Sequence, residues 1–257
     1  MRFETGDTMT KACKALVGLF FLGPCAGGAQ TPEKSVAVNV VISQPARTNI
    51  SKPAASKILD ASNVAVWLTP LDRTNFAAAT STVPQGPPRL VQRNKTFEPH
   101  ILIVRVGTMV EFPNKDPFFH NIFSLYDGRR FDLGLYEAGT KRSVQFDRPG
   151  VSFLFCNIHA EMSAVVLAVD TPYFGLSDRD GNLIISNVPP GRYQLNAWYE
   201  RSSPEQLKEL TRVVTISDSS RPIGPIQVVQ NPNFTPTHKN KYGLDYVPPP
   251  NSDYDHP

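Results

Sequence analysis

The chain has 257 residues, with 26 Lys and Arg against 23 Asp and Glu for a net charge of +3, and it carries 24 Pro and 16 Gly. That length accommodates two modest domains whose cores need no staples, and the mild charge forms no Lys/Arg stripe able to follow phosphates, which excludes nucleic acid as a partner. Pro and Gly punctuate short runs of Val, Ile, Phe and Tyr, and long helical periodicity is missing, so an all-β protein is expected.

The amino end reads as an export signal over residues 1–30: Lys11 and Lys14, then the apolar run ALVGLFFLG, then the small residues of CAGGAQ. The run is too short to span a bilayer as a helix, so no membrane span is expected. MRFETGD is an acidic opening for such a signal and Met9 a conventional one, so translation is expected to begin at Met9. Cys25 invites a lipid-anchored reading, but Pro24 before it departs from the small-residue pattern of acylation sites; a soluble periplasmic protein is expected. Cys13 and Cys25 would leave with the signal, and Cys156 would then stand alone in an oxidising compartment. An unpaired exported thiol is open to oxidation unless it is buried or ligated.

Alternation in SVAVNVVIS (35–43) and the run NVAVWLT (63–69) predict two early strands. HILIVRV and TMVEFPN, joined at Gly107, read as consecutive strands, and HNIFSL as another, ended by the turn YDGRR. YEAGTKR reads as a polar linker. SVQFD and VSFLFC flank RPG, which is expected to form a hairpin turn, and MSAVVLAVD closes a first domain at residue 170. From residue 171 the strands YFGLS, LIIS and RYQLNAWYE alternate with the turns DRDGN and VPPG; PEQLKEL is expected to be a short helix, and TRVVTIS and PIQVVQ supply the last strands. DRDGN lacks the alternate acidic residues and closing Glu of a calcium loop and is expected to be a tight hairpin. Residues 231–257, poor in aliphatic side chains, are expected to be a disordered tail with His238 and His256 solvated.

The chemistry concentrates in CNIHAEM, where Cys156, His159 and Met162 recur at steps of three, and in FPNKDPFFHNIF, where His120 lies 36 residues before the cysteine. A tight loop between a strand ending at Cys156 and one starting at Met162 would let the three converge, with His120 presented from a neighbouring strand end. One thiolate, two imidazoles and a distant thioether form the donor set of a blue-copper site. Taken singly, Cys156 reads equally as an inert buried thiol and Met162 as plain core; the copper reading rests on all four falling together. Zinc sites more often use paired Cys motifs, and Met is a poor zinc ligand. A Cys/His catalytic dyad would place His159 badly as a base, and no oxyanion loop is evident. His100, in FEPHILI, reads as a surface side chain at a strand start in preference to a second metal ligand. The chain has no His-x-His pair, so the trinuclear centre of a multicopper oxidase cannot be built, and one Cys-x-x-His-x-x-Met loop without a second Cys argues against a binuclear copper site.

CNIHAEM resembles the cupredoxin ligand loop, with the short spacing of amicyanin. HN at 120–121 matches the cupredoxin pattern in which an Asn after the first His ties the two ligand segments together, and FEPHILIVRVGTMVEFPNKD is similar to the preceding strand pair. The resemblance implies a Greek-key cupredoxin β-sandwich over residues 31–170. It implies His120, Cys156 and His159 as equatorial ligands of a type 1 copper, Met162 as the axial one, and an apolar patch around His159 (Phe118, Phe119, Ile158, Ala160) where a redox partner docks. DRDGNLIISNVPPGRYQLNAWYE resembles a transthyretin-like or carboxypeptidase regulatory-like β-sandwich, placed at 171–230. The expected function is single-electron transfer between periplasmic partners, a dehydrogenase on one side and a cytochrome or oxidase on the other, with no catalysis of its own. The alternatives are a copper storage, delivery or resistance protein, and an envelope binding module with a structural metal site.

Overall fold

The structure is a computed structural model that describes residues 35–44, 59–72, 86–125, 127–217, 219, 221–234 and 237–246. The expected export signal, with Cys13 and Cys25, and the tail's His256 lie outside them. In chain order the elements are β1 (Val36–Ser43), β2 (Ala65–Pro70), β3 (Val91–Arg93), β4 (Thr96–Glu98), β5 (Ile101–Arg105), β6 (Thr108–Pro113), β7 (His120–Ser124) and β8 (Phe131–Tyr136). There follow β9 (Lys141–Phe146), β10 (Gly150–Phe155), β11 (Ser163–Val169), β12 (Phe174–Leu176), β13 (Asn182–Ile185), β14 (Gly191–Trp198), α1 (Pro204–Glu209), β15 (Arg212–Ile216) and β16 (Ile223–Val229). The protein is all-β. Among the described residues no helix is long and apolar enough to cross a membrane.

The first sandwich sets a five-stranded sheet, in the order β5-β11-β10-β7-β8, against the β6-β9 pair, with the β3-β4 hairpin beside them. Leu90, Phe97, Val110, Phe112, Ile122, Phe146, Leu154 and Val166 fill the space between, and Cys156 and Met162 belong to the same core. The second sandwich faces β13-β1-β16 with β12-β2-β14-β15. Its core takes the alternate residues Val36, Val38, Val40 and Ile42 of β1 together with Val66, Leu68, Leu183, Ile185, Leu195, Ile226 and Val228.

This arrangement corrects the expected boundary between a 31–170 domain and a 171–230 domain. β1 lies between β13 and β16, and β2 lies between β12 and β14, so the chain's first two strands complete the second sandwich. Alternation in SVAVNVVIS specifies that one face must be buried; it does not say against which strands. RPG is likewise no hairpin: β9 pairs with β6 and β10 with β11 and β7, so Arg148–Gly150 crosses between sheets. DRDGN does form a tight turn, although β12 and β13 enter different sheets. Asp178 Oδ1 accepts the amides of Asp180 (3.0 Å) and Asn182 (2.8 Å), so that carboxylate is engaged by backbone. Gly181 takes φ +81° with Val40 O 1.9 Å from where a Cβ would sit, and only glycine fits.

The two sandwiches share a third apolar layer. β11 turns Ala164, Val166 and Ala168 into the first core and Leu167 and Val169 outward, where Ala65, Trp67, Ile103, Phe174, Leu176 and Trp198 meet them. That explains why MSAVVLAVD is apolar without alternation. At the edge of this layer His100 Nε2 lies 2.7 Å from Glu200 Oε2, and its Nδ1 lies 3.1 Å from Ser163 O, an acceptor only, so Nδ1 carries a proton. His100 is therefore a link between sandwiches and no metal ligand. The hydrogen bond to Glu200 raises its pKa above the ordinary 6.5, against burial and the charge of Arg201.

A His whose folded pKa is raised stabilises the fold fully below its unfolded pKa and ceases to do so as pH rises through the folded one. Glu200→Gln should therefore lower the melting temperature by about 1–3 °C at pH 5.5, the size of one half-exposed pair. The gap to the wild type should close as the pH is raised above 6.5 and through the folded pKa. Thermal melts from pH 5.5 to 9 read this directly, and a gap independent of pH would contradict it.

Candidate metal centre

β10 delivers Cys156 and β11 begins just after Met162, with Phe155 opposite Ser163. The loop between them is closed by backbone alone: the Cys156 N–H donates to Met162 O (3.2 Å) and the Met162 N–H to His159 O (3.2 Å). β7 runs beside β10, with Phe123 opposite Phe155, and opens at His120. Three donors thus arrive at one end of the first sandwich. The ligating atoms of His120, Cys156 and His159 all lie within 4.8 Å of one another. Cys156 Sγ is 3.8 Å from His120 Nδ1 and 3.6 Å from His159 Nδ1. His120, Cys156 and Met162 are fully buried, and His159 is half-buried.

His120 is held from behind. Its Nε2 is 2.7 Å from Asp116 Oδ2, which leaves Nδ1 facing the sulfur. Asp116 is in turn fixed by the turn of the β3-β4 hairpin. Asn94 and Lys95 take φ 53° and 56°, the pair of left-handed residues of a type I′ turn, and their amides donate to Asp116 Oδ1 (2.6 Å) and Oδ2 (3.0 Å). Asn114 braces the same loop, accepting the Asp116 N–H at 3.0 Å and donating to Phe118 O at 2.8 Å. A hydrogen-bond chain therefore runs from a hairpin turn through a carboxylate to an imidazole, the arrangement that orients metal-ligating histidines.

The surroundings of both imidazoles favour the uncharged form. Burial pushes His120 down, with Asp116 pulling the other way, and burial pushes His159 down, aided by repulsion from His120 when that ring is protonated. Burial would raise Asp116, but hydrogen bonds from the Lys95 amide, His120 and the Asn94 amide outweigh it and hold the carboxyl low. The Cys156 thiol is pushed up by burial, while the amides of Asn121, Ile158 and His159 act in the opposite sense. Those amides are placed to share a thiolate's charge once a cation occupies the common point. Neutral imidazole nitrogens and a thiol with such support are what a soft or borderline metal ion needs from its ligands.

Of the expected residues, the structure brings together His120, Cys156 and His159; Met162 closes the ligand loop, buried in the same core. Asn121, expected to tie the ligand segments by hydrogen bonds, reaches the Cys156 sulfur through its backbone amide, while its side chain donates to Asp132 Oδ1 at 2.8 Å. Phe118 packs against both imidazoles, with centroids 5.1 Å from His120 and 5.7 Å from His159. Phe119 (52% exposed) and Ile158 (46%) form an apolar rim. Sequence reading missed Asp116, whose signal is a carboxylate four residues before a histidine in NKDPFFH, and missed the hairpin that fixes it. It also missed residues 237–246, which were expected to be a disordered tail and instead pack on the ligand loop. His238, expected to be solvated, stacks on Phe155 with ring centroids 3.9 Å apart. The contacts of that segment come from His, Lys and Tyr, which an aliphatic count overlooks.

No protein-family model matches this sequence, and no curated protein matches it. Among solved structures the chain is similar to a purple cupredoxin from Nitrosopumilus maritimus, at 22% identity and TM-score 0.30, covering 32% of this chain and 99% of that one. It is similar to a reduced amicyanin variant at 20% identity and TM-score 0.31, over 35% of this chain and 90% of that one. A Cu-containing nitrite reductase from Thermus scotoductus SA-01 shows 23% identity and TM-score 0.33 over 40% of this chain, which spans 28% of the reductase's length.

Asp116→Ala removes the group that orients His120 and leaves the Asn94 and Lys95 amides without their carboxylate acceptor. Metal affinity should fall about 10–100-fold in competition with a chelator. The fold should lose about 1–3 kcal/mol in denaturant unfolding of the metal-free protein. Unchanged affinity would show that His120 needs no second anchor.

Proposed function

We propose that this chain is an exported type 1 copper protein that carries single electrons between redox partner proteins, a dehydrogenase as donor and a cytochrome or oxidase as acceptor. The observation that carries the reading is the approach of Cys156 Sγ to within 3.6 Å of His159 Nδ1, in a loop closed by its own backbone, and to 3.8 Å of His120 Nδ1 at the start of β7. The donor set suits copper: sulfur favours Cu(I), imidazole favours Cu(II), and Met162, at the loop's far end, would add a weak thioether. Bound there, copper would supply a one-electron couple. His120, Cys156 and His159 would hold it, and export would follow from the signal pattern at the amino end.

The chain's own residues supply the rest. Asp116 and the loop hydrogen bonds keep the imidazole and thiol in place whichever charge the site carries, and little rearrangement is what favours fast electron exchange. That rigidity favours cycling over storage or delivery, which would use the same ligands. Phe118 shields both imidazoles from water, and the exposed Phe119 and Ile158 beside half-buried His159 offer an apolar contact for a partner. The proposed role is that of a carrier and not an enzyme. For the second sandwich the reading is of a scaffold or docking module like the transthyretin-like domains its sequence resembles.

Copper titration of the purified chain should yield an intense thiolate-to-Cu(II) absorption band, narrow hyperfine splitting in the EPR spectrum and a reversible potential. A colourless, redox-silent Cu(I) complex would favour storage or delivery, and failure to take up copper would leave an envelope binding module. Cys156→Ser should abolish the band, and full colour in that variant would refute the ligand assignment. Met162→Leu should keep the colour and raise the potential, since the axial sulfur tunes the site without building it; loss of copper there would contradict the axial role.

A further inference from the structure

The segment after the second sandwich returns to the first one. The Lys241 amide donates to Asn157 Oδ1 at 3.0 Å, and its ammonium reaches Asp132 Oδ2 at 2.8 Å. Asn157 follows Cys156, and Asp132 holds the side chain of Asn121, which follows His120. One lysine is thus joined to the neighbours of two donors that lie 36 residues apart. The Tyr246 hydroxyl lies 2.6 Å from Cys156 O. A carbonyl only accepts, so the phenol's one proton goes there, and its oxygen accepts from His238 Nδ1 at 3.2 Å. Lys239 O, 3.2 Å from the same nitrogen, requires the same tautomer. The His238 ring lies on Phe155, interplanar angle 22°, and meets the Tyr246 ring edge-on at 5.2 Å.

We propose that residues 238–246 are a clamp on the metal centre, with Lys241 and Tyr246 as positioning residues that hold the Cys156 loop against the strands carrying His120 and Asp132. The inference rests on reading His120, Cys156 and His159 as a metal site, and it assigns to the carboxyl end control over how often that site opens. No ligand comes from the clamp. Its hydrogen bonds to the ligand loop fall on the carbonyl of Cys156 and on the side chain of the next residue, where they restrain the thiol-bearing backbone without touching the sulfur.

The test uses the full chain carrying Lys241→Met, Tyr246→Phe, both together, or Lys241→Arg. Two rates are measured: labelling of Cys156 by an aromatic disulfide in the metal-free protein, located by mass spectrometry, and removal of copper from the loaded protein by a chelator. Each single loss should raise both rates roughly three- to ten-fold, the size of one hydrogen bond or ion pair on a local opening, and the double variant more. Lys241→Arg should stay near the wild type, and the melting temperature should move little. Unchanged labelling in the double variant would overturn the clamp, as would acceleration that only follows global unfolding. Should the wild type take up no copper, the reading of the site fails, while the labelling rates still decide whether the segment holds the loop.

Discussion

Placing a thiol and an imidazole side by side in an apolar core, with a second, half-buried imidazole at its edge, strips Cys156 and His120 of water, and each must then be held by something other than solvent. The hydrogen bond from His120 to Asp116 is where that requirement is met most directly. Without it a buried imidazole would be free to turn its Nδ1 away from the sulfur, and the close approach of donors would be one rotamer among several. Asp116 can do this because two amides of a left-handed hairpin turn have already fixed it, so the geometry at the sulfur depends on a turn in a different part of the first sandwich. The loop from Cys156 to Met162 needs no such outside support for its shape, since its amides and carbonyls close on each other; it needs support for its position.

The donors were legible because their spacing is carried by side-chain chemistry: Cys156, His159 and Met162 in one short loop, His120 in an aromatic run. Their support was harder to see. Asp116 is one carboxylate among many, and only the fold reveals that it lies behind a histidine. β3 and β4 are too short to show a period, and β8, FDLGLY, is interrupted by Gly134 and mostly half-buried, so neither left a pattern to count. The strands of β1 and β2 were clear, but their partners were not, because periodicity reports a buried face and says nothing about what buries it. Residues 237–246 were opaque for a related reason: they are ordered by a few directed polar and aromatic contacts, which composition does not register.

β11 links these levels. It carries the end of the ligand loop into a strand whose two faces lie in two different apolar layers, so a shift along it would disturb both sandwiches at once. The second sandwich is therefore part of the mechanical setting of the site, whatever it binds. Trp67 and Trp198 pack against the outer face of that strand's neighbourhood, and the His100–Glu200 pair fastens the edge.

The interleaving of the chain has a consequence for its biogenesis. β1 is the middle strand of its sheet, and both its neighbours are encoded far downstream, the last of them at Ile223–Val229. During synthesis the valine face of β1 must wait, uncovered, while every strand of the first sandwich emerges. The nascent polypeptide thus spends most of its translation, and any passage across a membrane, with an orphaned β-strand that neighbouring chains could capture. Asn39 and Ser43 on its other face are its first protection against that fate.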